Sequence, residues 1–350
     1  MSGDALVVLD GPVVSTQVAV AMRPGTTLAV LAEGSIVTSG PSARAVSLSL
    51  LDPGTITIRN AGTISSVNGG VGRTTRTDNA SSRAVLLENS GQISAEDDFS
   101  AGAHLASTGG GEAILTNTGV IRGDWGVRLT HFGTAAAITV VSNTGLIEGR
   151  SLGIESSGNA DWITNDGRIV ASRGTVAIDT SGGNDRVVNH GTIIGDIRLS
   201  AGEDTFDGRG GTVVGTVFGG AGNDIYRIDD GAIRIAERAG EGADTVEAAA
   251  SFVLPDHVEV LLLAGGAVSG VGNGLPNTLT SNGFDNRLDG LGGDDTIDGG
   301  AGADWIDGDE GNDVMRGGGG DDVVWGARGT TLRTAAAMTT ACRAGRATTR

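Results

Sequence analysis

Along the C-terminal third of the chain one apolar residue returns at every ninth position: Leu279, Leu288, Ile297, Ile306, Met315 and Val324. Two places before each stands a polar partner in the same phase, namely Asn277, Asn286, Asp295, Asp304, Asp313 and Asp322. Glycines frame these residues, as in Gly299-Gly-Ala-Gly-Ala-Asp-Trp-Ile-Asp307. A strict nonapeptide phase of this kind is the signature of a parallel β-solenoid in which each copy forms half a rung. Successive copies then alternate between two edges. One edge carries Asn286, Asp304 and Asp322, the other Asn277, Asp295 and Asp313.

Upstream, a looser pattern recurs as Asn-x-Gly-x-Ile, beginning at Asn60, Asn89, Asn117, Asn143, Asn165 and Asn189. Each Asn-x-Gly predicts a tight corner, since both residues tolerate positive φ. Each following Ile predicts a short inward-facing strand. A spacing in the twenties, with β-branched strands and no amphipathic helix, describes one rung of a parallel β-helix per repeat. Glycine-acid segments at Gly182–Val188, Ala201–Phe206 and Gly219–Tyr226 join the two patterns. The predicted fold class is all-β, a β-solenoid in which a parallel β-helix continues into a parallel β-roll. The expected divisions are a β-helix over 1–200, a transitional solenoid with degenerate repeats over 201–270, the nonapeptide roll over 271–326, and an aberrant tail over 327–350.

Composition agrees. Gly is 61 of 350 residues and aromatics are 3%, too few large apolar groups for an ordinary core but enough for thin coils with glycine corners. No lysine is present, and the formal net charge of −18 opposes nucleic acid and anionic membrane as partners and favours cations. Between Ser281 and Gly326 twelve Asp or Glu face only Arg287 and Arg316. The one cysteine, Cys342, lies in the tail, so no disulfide staples the body. The first thirty residues show no basic start, apolar run and cleavage site, and no segment is long and apolar enough to span a bilayer, so neither a signal peptide nor a transmembrane helix is expected. The tail from Ala327 has five Arg and no acid. Codons for Ala335–Thr339 read one base earlier can encode Gly-Gly-(Asn or Asp)-Asp, so a disordered or out-of-frame segment is expected there, which resequencing of the gene tests.

The chemistry of the repeat is that of a hard cation. Calcium takes six to eight oxygens and accepts backbone carbonyls readily. Glycine turns present such carbonyls, offered here by Gly299, Gly300, Gly302, Gly308, Gly317 and Gly318, and each aspartate adds charge. One loop supplies about half a coordination shell, so an ion must sit between stacked loops, which parallel rungs place about 4.8 Å apart. Complete sandwiches are expected at 304/322 and 295/313, and weaker ones at 286/304 and 277/295, where Asn replaces Asp. Residues 231–270 are expected to be coils without metal corners.

These residues resemble the RTX, or hemolysin-type, calcium-binding repeats of type I secreted proteins, specifically over 270–326 and more loosely over 219–250. The resemblance implies calcium bound in a β-roll by Asp224, Asp295, Asp304, Asp313 and Asp322, and an extracellular protein exported without an N-terminal signal. Asp309 replaces the second glycine of its loop, and Leu275 and Phe284 replace the third. The function expected is that of a secreted calcium-binding repeat protein whose β-helix is a scaffold or adhesive surface. Extracellular polysaccharide or a cell surface is its possible partner.

Catalytic motifs are weak. Gly149-Arg-Ser151-Leu-Gly153 matches the serine-hydrolase string, but falls between β-helix strands instead of on a strand-turn-helix elbow. No His-Glu-x-x-His zinc motif occurs, and His104, His131, His190 and His257 are scattered. The alternative is a polysaccharide lyase or epimerase, with Arg122, Asp124, Arg128, Arg150 and Asp161 lining one face. Asp161 and Asp185 otherwise read as solvated corners, so no catalytic residue is assigned.

Overall fold

The computed structural model describes residues 5–9, 11–15, 20–22, 26–38, 46–48, 54–66, 71–73, 83–98, 100–108, 111–132, 138–326, 332–334 and 341–344. Every element among them is a strand, and the pairing is parallel almost throughout. The chain forms two compact units, residues 1–201 with 210–216, and residues 202–209 with 217–350.

In the first unit three columns of strands stack rung on rung. One column superposes Leu28, Ile58, Leu87, Leu115, Val141, Ile163 and Val187 in register. The second superposes Ile36 and the isoleucines of the Asn-x-Gly-x-Ile motif, Ile64, Ile93, Ile121, Ile147, Ile169 and Ile193. A third runs through Ala103, Val127, Ile154, Ile178 and Ile197. All of these side chains are buried. β-Branched residues suit a pleated, stacked surface, and each full burial stabilises by roughly 1.5–3 kcal/mol. A thin coil is thereby held without aromatic bulk.

At the corner between the first two columns the six asparagines form a buried ladder. Each Nδ2 donates to the next Oδ1, from Asn60 to Asn89, Asn117, Asn143, Asn165 and Asn189, at 2.7–2.8 Å. The same Nδ2 groups also donate to corner carbonyls, as Asn117 does to Gly119 and Leu146. The expected positive φ at these corners is not used. Glycine is needed for room instead: a Cβ on Gly91, Gly119, Gly145, Gly167 or Gly191 would lie 2.1–2.2 Å from the carbonyl oxygen of the glycine one rung earlier.

The second unit keeps a simpler plan. Strands Thr205–Asp207, Ile225–Ile228, Thr245–Ala248, Val260–Leu263, Thr278–Thr280, Thr296–Asp298 and Val314–Arg316 stack on one face. Strands Phe252–Val253, Ser269–Val271, Arg287–Asp289, Trp305–Asp307 and Val323–Gly326 stack on the other. Leu261, Leu279, Ile297 and Met315 superpose in the first stack, and Leu288, Ile306 and Val324 in the second. Consecutive nonapeptides therefore alternate between faces, as half-rungs must. Strands Leu332–Thr334 and Ala341–Ala344 continue both stacks. The rest of the tail, and with it most of the expectation of disorder or a shifted frame, lies outside the described residues.

Candidate metal centre

Glycine turns join the two faces of the roll, and the aspartate closing each turn points inward. Asp295, Asp304, Asp313 and Asp322 are each 1% exposed. Their Oδ1 atoms accept the backbone N–H of the residue one rung earlier: Asp295 from Asn277 at 2.8 Å, Asp304 from Asn286 at 2.8 Å, Asp313 from Asp295 at 3.2 Å and Asp322 from Asp304 at 3.1 Å. The pairs 304/322 and 295/313 thus stand on separate edges, one rung apart. All four Oδ2 atoms are buried without a hydrogen-bond partner. An orphaned buried carboxylate oxygen is costly, and four in phase call for a cation.

The glycines make room for it. A Cβ on Gly299, Gly308 or Gly317 would stand 2.7, 2.4 or 2.3 Å from Oδ2 of Asp304, Asp313 or Asp322. Gly300, Gly302 and Gly318 instead hold positive φ, at 81°, 124° and 101°, which turns the loop backbone. The Gly300 carbonyl also accepts the Gly319 amide at 2.8 Å. At the second loop position glycine is not obligatory, for Leu291 and Asp309 adopt φ of 69° and 53° there. That conformation costs an L-residue roughly 1–2 kcal/mol.

Asn277 and Asn286 close the column differently. Their Nδ2 groups donate to the carbonyls of Val258 and Ala267, at 3.1 and 2.9 Å. A neutral amide donates to these oxygens, which a carboxylate at the same place would not do.

An acid column also extends where the nonapeptide phase does not. Asp204 and Asp224 donate their amides to Oδ1 of Asp224 and Asp244, at 2.8 and 2.9 Å. Glu237 joins Asp224 and Asp244 in one buried group. Residues 231–270 therefore do carry acid corners, against expectation. In the first unit Asp161 and Asp185 are buried, not solvated, and the Asp161 amide donates to Asp185 Oδ1 at 2.8 Å. Glycine-acid loops at 182–185 and 242–244, spaced like that at 219–224, were the signal for this column. Glu237 lies one eighteen-residue rung after Gly219, at a position the array gives to glycine.

Burial dominates the electrostatics. It pushes Asp295 up to about 7 and Asp304 to about 6, with the facing Asp313 and Asp322 adding repulsion, while the accepted amides pull the other way. Asp313 is raised by burial too. A carboxyl raised in the folded state contributes stability that is present below the ordinary carboxylate range and lost as pH rises through about 6 to 7. Chelated protein is thus expected to show more β-structure by circular dichroism at about pH 5 than at about pH 8, with calcium abolishing the difference. Equal or greater structure at the higher pH without calcium would refute this.

Of the groups weighed for catalysis, Arg150 and Ser151 meet at Asp124, with Arg150 Nε 3.8 Å from Asp124 Oδ1. Ser151 lies within strand Leu146–Glu155 and donates to Asp124 Oδ1 at 2.6 Å. Arg122 and Arg128 pair with Glu148 and Glu155, at 3.0 and 2.8 Å. Buried Asp161 lines no open face, and His104, His131 and His190 bond to Thr130, Ser107 and Asp166.

Stacked buried carboxylates between glycine turns define a roll whose corners offer oxygen alone, the donor set calcium prefers. Residues 216–232, 271–306 and 298–331 match the family model of the RTX calcium-binding nonapeptide repeat (4 copies). The chain carries RTX calcium-binding repeats, set in a parallel β-solenoid. No curated protein and no solved structure matches it. The residues fit the ion: Asp295, Asp304, Asp313 and Asp322 would hold it, with carbonyls of the glycine turns. When bound, calcium supplies the positive charge that lets these acids be both ionised and buried.

Proposed function

We propose that the protein is a secreted calcium-binding repeat protein whose roll folds when it meets calcium outside the cell. The Asn-ladder unit is its scaffold or adhesive surface, toward extracellular polysaccharide or a cell surface. The observation carrying this reading is the set of four buried, unpartnered Oδ2 atoms in register. Two carboxylates per corner suggest modest affinity, and extracellular calcium modules bind at about 10⁻⁴–10⁻³ M. Such sites stay empty in a cytosol and fill outside. The net charge of −18 supports the same compartment by favouring cations over nucleic acid.

A calcium titration followed by circular dichroism tests the reading. A folding midpoint near 10⁻⁴–10⁻³ M, roughly, is expected; saturation at cytosolic calcium levels would overturn the extracellular assignment. Calcium-dependent retention on polysaccharide beads without turnover supports adhesion, whereas release of unsaturated or epimerised sugar would make the scaffold an enzyme.

A further inference from the structure

We propose that Asp224, Glu237 and Asp244 form an additional divalent-cation site in the second unit, outside the nine-residue phase and richer in carboxylate than the corners of the array. One oxygen from each residue lies within 4.8 Å of the others, and all three residues are buried. Asp244 Oδ1 accepts the Asp224 amide at 2.9 Å, while its Oδ2 is buried with no hydrogen-bond partner. That oxygen is the observation beyond mere acidity. No arginine pairs with Glu237 or Asp244 among the described residues.

The local construction is that of a repeat corner with one change. Loop Gly219-Gly-Ala-Gly-Asn-Asp224 is a glycine turn within a segment matching the calcium-repeat model. A Cβ on Gly219 would lie 2.2 Å from Asp224 Oδ2 and 2.4 Å from Glu237 Oε1, so bare glycine opens the space between the two acids. Glu237 stands eighteen residues after Gly219, where the array repeats glycine, and accepts the amides of Gly219 at 3.1 Å and Gly220 at 3.2 Å. The loop below therefore orients Glu237 toward the aspartates. Three carboxylate oxygens with turn carbonyls suit calcium or a lanthanide better than magnesium, which demands a small octahedral shell, and added ligand charge tightens calcium binding.

Tyr226 supplies the readout. Its hydroxyl donates to Glu237, and it is the single tyrosine of the chain. Terbium(III) bound here accepts energy from that ring. Titrating the full chain with terbium should give tyrosine-excited emission that calcium displaces and that Tyr226→Phe removes from the wild-type spectrum. Glu237→Gln and Asp244→Asn should weaken this phase by about tenfold or more and each bind one calcium ion fewer, counted by equilibrium dialysis. Asp304→Asn should leave the tyrosine-excited phase in place. An unchanged ion count in folded Glu237→Gln, or emission indifferent to Tyr226→Phe, would overturn the proposal and leave a protonated Glu237 bonded to its neighbours. Should Glu237→Gln not fold, Tyr226→Phe, which keeps every carboxylate, still decides.

Discussion

Chelation of calcium is expected to melt the roll of the second unit and leave the Asn-ladder unit standing. In the roll each rung buries one large apolar side chain per half-turn, Leu279, Leu288, Ile297, Ile306, Met315 and Val324. Against this stand many glycines to be ordered, at about 1–2 kcal/mol of backbone entropy per residue. The buried carboxylate pairs 295/313 and 304/322 add repulsion when no cation lies between them. Binding returns about 2.7 kcal/mol per site when free calcium is 100-fold above its dissociation constant. Two complete pairs thus supply about 5 kcal/mol, comparable with the whole stability of many domains. Circular dichroism with calcium and with chelator, joined to limited proteolysis, should show cleavage after residue 270 only in the chelated state. A chelated chain that resists protease throughout would show that the corners are not held by metal.

The second large effect lies in the other unit and should ignore calcium. Asn117 accepts from Asn89 and donates to Asn143 Oδ1 and to the carbonyls of Gly119 and Leu146. Asn117→Asp keeps the shape but replaces the donor with an oxygen facing three acceptors. An uncompensated charge would sit in a fully buried ladder, at a cost of about 3–5 kcal/mol. Urea unfolding of this unit should shift accordingly, equally with and without calcium. A loss below about 1 kcal/mol would mean that the ladder tolerates a broken step.

Much of this was legible in the chain. The nine-residue phase gave the two edges, because an eighteen-residue rung leaves no other way to bury Leu279 and Leu288 on opposite faces. The isoleucine after each Asn-x-Gly marked a true column. The reason for the glycine was misread: rung contact, not positive φ, excludes a side chain at Gly119 and Gly145. Asp161 and Asp185 looked solvated because their rungs are 24 residues apart, outside the nine-residue frame. Glu237 was missed because an acid stands where the array, eighteen residues after Gly219, would place glycine. Leu291 keeps the left-handed turn of the glycine it replaces, a conformation its side chain does not announce.

The amide links to the inward acids all run one way. Asn277 leans on Asp295, Asp295 on Asp313, Asn286 on Asp304, and Asp304 on Asp322. The outward acids run the other way, Asp285 and Asp294 accepting the amides of Ala303 and Asn312 from the turn that follows. Neighbouring turns thus complete each other in both senses, and no turn closes before the next is in place. A chain emerging with its N-terminal end first would keep its leading turns open until the trailing acids arrive.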